Sequence, residues 1–272
     1  MGELERIVAA VRAALAERRA ALPERELEQL VAEAPARPSL RAAIESGPAP
    51  RVIAEIKRRS PAAGPLRPDL DPAALARAYA EAGAAAISVL TEASHFGGSL
   101  ADLAAVAAAV ELPVLQKDFV LERYQLLEAR AAGASAVLLI AAVLADDAAL
   151  AARIAEARAL GLETLLEIHS EREAERVLGL AERPDLIGVN NRDLATLRVS
   201  LEVARRLAPY LPPDVPRIAE SGIERPADIA ALEPFGYHGF LVGTSLLAAP
   251  DPAAALRWLR SDVMEAQDRR WR

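Results

Sequence analysis

The stretch RVIAEIK, residues 51–57, is a short apolar run that carries a glutamate and a lysine near its carboxyl end. Seven similar runs follow it along the chain, separated by longer Ala-, Leu-, Glu- and Arg-rich segments with helical periodicity. The eight predicted strands cover residues 51–57, 86–92, 113–119, 136–141, 163–168, 185–190, 217–220 and 239–243. Regular alternation of strand and helix predicts a parallel sheet, because parallel neighbours need a crossover connection.

Eight strand-helix units favour a closed barrel over an open, doubly wound sheet. An open sheet that binds a dinucleotide would carry a G-x-G-x-x-G pattern directly after its first strand. The segment at that position, KRRSP at 57–61, contains no glycine, and the next glycine is Gly64. We therefore predict an α/β protein with the (β/α)8 TIM-barrel fold and an amino-terminal helical extension.

The predicted extension comprises residues 1–50, and the predicted barrel domain comprises residues 51–272. Helical periodicity over 4–21 and 24–33 is followed by a proline-punctuated segment at 35–50 that leads into the first strand. We expect the extension to pack on the bottom or side of the barrel rather than to form a separate domain.

Several helix ends carry capping residues. Glycines follow three helical segments, where they are expected in the left-handed conformation just past the helix: Gly83, Gly133 and Gly161. Three further segments begin at residues expected to act as N-caps: Asp71, Asp146 and Ser200. The tail at 251–272 is predicted to be the eighth barrel helix, with Trp258 packed and Trp271 exposed.

Composition excludes several classes of function. The 272 residues include 32 Lys+Arg and 39 Asp+Glu, a formal net charge of −7, which argues against a nucleic-acid-binding protein. The absence of cysteine excludes disulfides, thiolate metal sites and a cysteine nucleophile. No long uncharged apolar stretch or signal-like segment is present, so we expect a cytoplasmic protein.

Polar residues recur at the carboxyl ends of six predicted strands, where barrel enzymes place their active sites. They are Glu55 and Lys57, Lys117, Glu167, Asn190 and Arg192, Glu220, and the Gly243-Thr244 pair. Glu55 and Lys57 are two positions apart, so we predict that their side chains point the same way. Ionisable groups in apolar strands are costly unless they are paired, so a purely structural ring of ion pairs is one explanation. The repetition of the pattern favours an enzyme site for a polar, anionic substrate.

A phosphate site is predicted where the last two strands end. Barrels often bind phosphate with the loops after strands seven and eight and the start of a short helix. Ser221-Gly222 and Gly243-Thr244 place hydroxyls and accessible backbone N–H groups at these positions.

Six motifs in this order and spacing resemble the indole-3-glycerol-phosphate synthase family over essentially the whole chain. The motifs are AEIKRRSP (54–61), LQKDF (115–119), LLEIH (165–169), GVNNRDL (188–194), IAESGI (218–223) and LVGTS (241–245). HFGGS (95–99) resembles the family's loop that adds an aromatic residue to the substrate pocket. Ala62 departs from the family pattern, because many relatives have a serine there.

The resemblance implies a carbon-carbon lyase, a carboxy-lyase of tryptophan biosynthesis. Such an enzyme cyclises 1-(2-carboxyphenylamino)-1-deoxyribulose 5-phosphate to indole-3-glycerol phosphate with loss of CO2 and water. It would use no metal or organic cofactor. Its partner would be the phosphorylated small molecule alone, with no nucleic acid or membrane, and the protein would be a monomer or a weak homo-oligomer.

The resemblance also implies a role for each matching residue. Lys117 matches the general acid, which would work best if burial and nearby cations lowered its pKa. Lys57 matches a residue that binds the substrate carboxylate or donates a proton. The sequence leaves open which of the two lysines is the acid in cyclisation and which in dehydration. Glu167 matches the acid-base partner in dehydration.

The remaining matches concern orientation and binding. Glu55 and Asn190 match groups that orient the substrate and the lysines. Glu220 matches a residue that hydrogen-bonds the ribulose hydroxyls or a lysine. Arg192 could pair with Glu55 across the mouth. Ser60, Ser221, Gly222, Gly243 and Thr244 match phosphate-binding residues, and Phe96, Phe119 and Leu138 match the apolar walls around the anthranilate ring.

Two alternatives stay open at this point. One is another phosphate-binding barrel enzyme of aromatic or histidine biosynthesis, such as an aminoaldose isomerase or the α subunit of tryptophan synthase. The other is a non-catalytic barrel that serves as a scaffold. The three histidines, His95, His169 and His238, are scattered without metal-ligand spacing, so we expect surface or supporting roles for them.

Overall fold

The computed structural model describes residues 2–193 and 196–261, in which eight parallel strands form a closed barrel. The barrel strands are β1 (Arg51–Ile56), β2 (Ala86–Leu90), β3 (Val114–Lys117), β4 (Ala136–Ile140), β5 (Glu163–Ile168), β6 (Leu186–Asn190), β7 (Arg217–Glu220) and β8 (Gly239–Val242). Each strand pairs with its neighbour in chain order, and β8 closes the barrel against β1. The predicted (β/α)8 fold is confirmed, although several strands end one or two residues earlier than predicted.

Helices connect the strands and also precede the first one. They are α1 (Glu3–Ala21), α2 (Glu24–Glu33), α3 (Leu40–Ser46), α4 (Pro72–Glu81), α5 (Ala93–Phe96), α6 (Leu100–Ala109), α7 (Arg123–Ala131), α8 (Asp147–Ala159), α9 (Glu171–Gly179), α10 (Glu202–Leu207), α11 (Pro226–Ala230), α12 (Thr244–Ala248) and α13 (Pro252–Leu259). A short antiparallel hairpin, Arg59–Ser60 with Gly64–Pro65, follows β1.

The capping residues explain where most of these helices begin and end. Gly83, Gly133 and Gly161 have φ angles of 87°, 86° and 71°, which confirms their predicted left-handed conformation. Asp71 and Asp146 each accept a hydrogen bond from the backbone N–H three residues on, as N-caps do.

The expectation that Ser200 is an N-cap is wrong. Helix α10 begins after Leu201, whose side chain makes no capping hydrogen bond. Instead the Asn191 side chain, at the end of β6, accepts the N–H of Ala204 at 3.0 Å. A residue distant in sequence therefore caps the helix, which a local pattern cannot reveal.

The strands divide the apolar residues between two layers. On β1, Val52, Ala54 and Ile56 belong to the core between the barrel and its helices. Ile53 belongs to the core inside the barrel, and Glu55 follows it two positions later on the same face. This alternation aims Glu55 into the mouth of the barrel.

The amino-terminal helices contact the barrel at its bottom and its side. Helix α3 forms within the segment predicted only as proline-punctuated, and its Ile44 is fully buried. Ile44 packs so closely on Gly239, at the start of β8, that a Cβ there would lie 2.9 Å from it. Helix α3 thus closes the amino-terminal end of the barrel.

Helix α1 runs along the barrel side from the mouth to α7. Its first turn brings Leu4 and Ile7 to the cavity at the carboxyl ends of the strands. Near its other end, Arg18 pairs with the buried Glu128 of α7 at 2.7 Å. Tyr124 of α7 donates to the backbone oxygens of Arg18 and Leu22.

The predicted terminal helix is shorter in the described chain, where α13 ends at Leu259. Trp258 lies partly exposed in α13, while Trp271 and the rest of 262–272 fall outside the described residues. No helix among the described residues is long and apolar enough to cross a membrane.

Candidate active site

A cavity of about 260 Å³ opens at the carboxyl ends of the barrel strands. All fifteen residues that the sequence predicted for the site line it. They are Glu55, Lys57, Ser60, Phe96, Lys117, Phe119, Leu138, Glu167, Asn190, Arg192, Glu220, Ser221, Gly222, Gly243 and Thr244. Residues from all eight strands or their following loops therefore converge on one space, as a common active site requires.

Lys117 is the centre of a buried ion cluster. Its Nζ lies 2.9 Å from Oε2 of Glu167 and 3.2 Å from Oε2 of Glu220. Both carboxylates are almost fully buried, so each charge needs a compensating cation, and both face this lysine. The ammonium group is thereby held between β5 and β7, with only 13 % of the lysine side chain exposed.

The surroundings of Lys117 do not lower its pKa. Burial alone would lower it, but the carboxylates of Glu167, Glu220 and Glu55 reverse that effect and raise the pKa above its usual value. Lys117 is therefore a protonated donor at neutral pH, and its neighbours determine how readily it releases the proton.

The two carboxylates beside Lys117 have opposite shifts. Burial would raise the pKa of Glu167, but Lys117, His169 and hydrogen bonds hold it well below the usual range. Burial raises the pKa of Glu220 to about 7. Lys117 acts in the opposite direction and lowers this pKa, but the negative charge of Glu167 raises it and so cancels part of that effect. One carboxyl thus stays ionised while the other titrates near neutrality.

Lys57 lies one residue past the end of β1 and donates from Nζ to Oε1 of Glu55. The two side chains point the same way because they are two positions apart, as predicted. Both are largely buried, at 12 % and 6 % side-chain exposure. The sequence contains only two lysines, Lys57 and Lys117, and 30 of the 32 basic residues are arginines. Both lysines line the cavity. The scarcity of lysine in the sequence would therefore have indicated these two site residues without any motif.

Two hydrogen-bond donors hold the Glu167 carboxylate, and a histidine ring faces it. Lys117 binds Oε2, while Nδ2 of Asn190 donates to Oε1 at 3.2 Å. Nε2 of His169 approaches the same Oε1 at 3.4 Å. Asn190 is fixed in turn because its Oδ1 accepts the N–H of Arg192 at 3.0 Å. The role of His169 was missed by sequence reasoning, although the alternation of LLEIH puts it on the same side as Glu167.

The expected pairing of Arg192 with Glu55 is not found among the described residues. The Arg192 guanidinium donates to the backbone oxygen of Leu197 at 3.0 Å and lines the cavity. Its backbone bridges to Val199 in an antiparallel turn-back of the chain. This turn-back holds Arg192 beside β6, and Lys57 is the partner of Glu55 instead.

Two glycines make room for the buried carboxylates. A Cβ at Gly188 would lie 2.1 Å from Oε1 of Glu220, and one at Gly243 would lie 2.2 Å from Oε1 of Glu55. Gly243 therefore has a packing role that its prediction as a phosphate-binding residue did not include. Gly188 was missed, although it opens the GVNNRDL motif.

One wall of the cavity is apolar. Phe96 and Phe119 face each other with ring centroids 6.4 Å apart, and Leu138 lies in the same core cluster as Phe119. Leu4 and Ile7 of α1 complete this wall and were not predicted as site residues.

Two carboxylates hold the aromatic residues of this wall. Glu92 caps α5 by accepting the N–H of Phe96 at 3.1 Å, and Asp118 accepts the N–H of Phe119 at 2.7 Å. Asp118 also accepts from Thr91. These contacts tie the loop after β3 to Thr91, which follows β2.

The opposite wall carries hydroxyls and accessible backbone around the β7–β8–β1 seam. Ser221 and Gly222 have φ angles of 64° and 79°, two consecutive left-handed residues that turn the chain sharply after β7. Helix α12 begins at Thr244 without a side-chain cap, and Ser60 comes from the hairpin after β1. A Cβ at Gly222 would lie 2.6 Å from Val199, so glycine is required there.

The described residues contain no group of three His, Cys, Asp or Glu side chains arranged to hold a metal ion. His238 accepts the N–H of Arg217 at 3.2 Å. Arg217 is the first residue of β7, so this contact lies at the end of the barrel away from the mouth. His95 lies 3.3 Å from Glu92 within α5. These two histidines thus have the supporting roles that we expected.

Comparison with known proteins gives the family. A family model described as indole-3-glycerol phosphate synthase matches residues 4–259. The indole-3-glycerol phosphate synthase of Nocardioides sp. is 50% identical over 261 residues, 94% of this chain and 97% of the relative. The enzyme of that name from Micrococcus luteus is 49% identical over 265 residues, 96% and 98% of the two chains.

Solved structures show the same fold at low sequence identity. Thiamine phosphate pyrophosphorylase from Pyrococcus furiosus aligns with a TM-score of 0.59 at 19% identity, over 84% of this chain and 99% of its own. A 3-hexulose-6-phosphate synthase aligns with a TM-score of 0.58 at 21% identity, over 77% and 98%. At such low identity these likenesses show the fold alone, whereas the family model matches the extension, the barrel and the site motifs together. The chain belongs to the indole-3-glycerol phosphate synthase family.

Proposed function

We propose that this cavity converts 1-(2-carboxyphenylamino)-1-deoxyribulose 5-phosphate to indole-3-glycerol phosphate, with release of CO2 and water. The observation that carries the proposal is the Lys117 ammonium, held by Glu167 and Glu220 between an apolar wall and a wall of hydroxyls and backbone amides. The substrate has matching parts: an aromatic ring, a reacting carbonyl and a phosphate.

Ring closure needs a proton for the ribulose carbonyl. In our proposal Lys117 donates it while the ring carbon that bears the carboxylate attacks the carbonyl carbon. The carbon-carbon bond forms, the carbonyl becomes a hydroxyl, and loss of CO2 returns the bonding electrons to the aromatic ring. Phe96, Phe119 and Leu138 hold the ring in the reactive orientation, and fixed orientation can remove a large part of the barrier.

Dehydration needs a base and an acid at once. Glu167 remains ionised beside Lys117 and takes the proton from the carbon next to nitrogen, while a lysine protonates the departing hydroxyl. Both Lys57 and Lys117 line the cavity where that hydroxyl forms, and the assignment between them stays open as it did from the sequence. Asn190 keeps the Glu167 carboxylate in place at 3.2 Å.

The remaining charged residues serve binding and orientation. Lys57 binds the substrate carboxylate, and Glu55 orients Lys57 through their hydrogen bond. Glu220 contacts the ribulose hydroxyls and tunes Lys117, and Arg192 adds a cation for the anionic substrate. The phosphate is bound by Ser60, Ser221, Gly222, Gly243 and Thr244, whose hydroxyls and N–H groups surround one end of the cavity.

We also propose how the molecule is organised and where it acts. The substrate is the phosphorylated small molecule, without nucleic acid or membrane as a partner, and the protein acts in the cytoplasm as a monomer or weak homo-oligomer. The net charge of −7 supports the first part, because nucleic-acid partners favour basic surfaces. Residues 1–50 act as an extension of one barrel domain at 51–272, which the contacts of α1 and α3 with the barrel support.

The proposal is tested by incubating purified protein with the carboxyphenylamino substrate, following indole fluorescence and identifying the product by mass. Lys117→Met is expected to lower kcat by about 10²–10⁴-fold, the usual contribution of a positioned acid, with a much smaller change in KM. Arg77→Met, on the exposed face of α4, is the matched control and retains activity. No product from the wild-type protein would refute the proposed function, and full turnover by Lys117→Met would remove that lysine from the acid role.

A further inference from the structure

The contacts of His169 differ from those of the other two histidines, because both of its ring nitrogens face a carboxylate. Nε2 lies 3.4 Å from Oε1 of Glu167 inside the mouth, and Nδ1 lies 3.8 Å from Oε2 of Glu173 on α9. The imidazole therefore separates an active-site carboxylate from one on the surrounding helix layer. Its side chain is only 14 % exposed.

Within the described chain neither ring nitrogen makes a hydrogen bond, so the two carboxylates act on the ring through charge and favour its protonated form. A neutral imidazole carries a proton on one nitrogen and a lone pair on the other, so one carboxylate would face a lone pair. Only the imidazolium presents N–H groups to both carboxylates. Burial alone would lower the pKa of His169, but Glu173, Glu167 and Glu220 reverse that effect and raise it.

We call the contact of His169 with both Glu167 and Glu173 the histidine bridge. Hydrogen bonds fix the position of Glu173 at one end of it. Its Oε2 accepts the backbone N–H of His169 at 2.6 Å. Its own N–H donates to the N-cap Ser170 at 3.3 Å, which fixes the first turn of α9. Arg176 on the same helix is engaged elsewhere, by Asp147 at 2.8 Å, and does not take the place of the imidazolium.

The charges around Glu167 show that the histidine bridge supplies a second positive charge to this carboxylate. Lys117 faces its Oε2 from β3, and Glu220 competes for that lysine from β7. At Oε1 the partners are the neutral amide of Asn190 and the ring of His169. Without His169, the only cation left in contact with Glu167 among the described residues would be the one that it shares with Glu220.

We propose that His169 is a positioning residue for the reaction: as an imidazolium bridged to Glu173, it holds the Glu167 carboxylate ionised and oriented towards Lys117. It does not touch the reacting atoms and acts through Glu167. This inference rests on the proposed function, since it assumes that Glu167 is the acid-base partner in dehydration.

The first test measures the ring itself and needs no substrate. Titration of the three histidines by NMR, assigned with His-to-Gln variants, is expected to show His169 titrating above the ordinary value of about 6.5. Glu167→Gln and Glu173→Gln should each lower the pKa of His169 and leave that of His238 unchanged. A His169 that titrates at or below the ordinary value, or that ignores both substitutions, would overturn the bridge.

The second test measures turnover. His169→Gln is expected to lower kcat about tenfold with KM changed less than twofold, and Glu173→Gln to give a smaller loss in kcat. Because Glu173 acts through the ring, the double variant should lose no more than His169→Gln alone. Glu175→Gln, exposed on the same helix, is the control and should match the wild type.

The outcomes separate the two proposals. If wild-type protein makes no indole-3-glycerol phosphate, the proposed function fails while the titration still decides whether the bridge exists. If wild type is active and the losses of the two single variants multiply in the double variant, the relay from Glu173 through His169 is refuted. Should His169→Gln not fold, Glu173→Gln carries both readouts with the histidine still in place.

Discussion

The contact between Lys117 and Glu220, 3.2 Å long, joins a donor whose pKa is raised to a carboxyl that titrates near neutrality. When Glu220 is protonated, Lys117 loses one of its two neighbouring negative charges and becomes a stronger acid. When Glu220 ionises, it holds the lysine proton more tightly. The acidity of the proposed general acid is thus controlled by a residue that need not exchange a proton with the substrate.

This coupling predicts a pH effect. Burial raises the pKa of Glu220 to about 7, so the carboxyl is protonated below that pH and ionised above it. We expect kcat/KM to fall as the pH rises through this range, and the fall to move to higher pH in Glu220→Gln, whose amide never ionises. Glu233→Gln, which changes an exposed carboxylate that does not line the cavity, serves as the control. A pH profile unchanged in Glu220→Gln would contradict the coupling.

At this scale the sequence predicted neighbours within a strand but not partners across the mouth. The alternation of side chains correctly placed Glu55 beside Lys57, because the two-residue period is local. The expected Arg192–Glu55 pair failed because the chain turns back after β6 and carries Arg192 to the Leu197 oxygen. His169 was missed because its partner Glu173 lies on a helix whose orientation the sequence does not specify.

Among the helices and strands, α1 contacts both the cavity and the outer helix layer. Its first turn contributes Leu4 and Ile7 to the cavity, and its last turn places Arg18 on the buried Glu128 of α7. The helix itself was predicted from periodicity over 4–21. Its contacts with the barrel were not, because they join residues far apart in the chain: Arg18 and Glu128, for example, are 110 positions apart.

The Arg18–Glu128 pair should contribute stability that depends on pH. Glu128 is buried, which raises its pKa, and Arg18 offsets part of that rise. Arg18→Met would leave a buried carboxylate uncompensated and is expected to cost about 1–2 kcal/mol near pH 8, less than a fully buried pair because Arg18 is 36% exposed. The cost should shrink near pH 5, where Glu128 can take up a proton as its folded-state pKa exceeds the unfolded one.

Thermal unfolding at the two pH values measures this difference. Arg12→Met, on the exposed face of the same helix, controls for loss of a surface arginine. Equal losses of Tm by Arg18→Met at pH 5 and pH 8 would show that the carboxylate of Glu128 is not the cause.

For the whole molecule, closing the barrel assembles the proposed phosphate site. Ser60 follows the first strand, Ser221 and Gly222 follow the seventh, and Thr244 follows the eighth. These segments meet only because β8 pairs with β1. The sequence predicted this meeting through the strand count, since an eight-stranded barrel brings its first and last strands together.

Inorganic phosphate should therefore inhibit competitively with the substrate. Thr244→Val removes one hydroxyl and is expected to weaken that inhibition severalfold, the effect of about one hydrogen bond. Ser46→Ala, exposed at the opposite end of the barrel, should leave it unchanged. Substitution of Gly243 is a poorer test, because a side chain there would collide with Glu55. Non-competitive inhibition would place the phosphate outside the substrate site.

Both lysines of the chain lie in the cavity, which gives the protein an unusual chemical property. An amine-directed reagent, such as an aldehyde with a borohydride or an activated ester, finds no lysine on the outer surface. Besides the α-amino group, its only targets are two ammonium groups that are partly shielded and held by carboxylates. Covalent labelling would thus act as a footprint of the mouth, and a bound substrate would be detected as protection of two peptides.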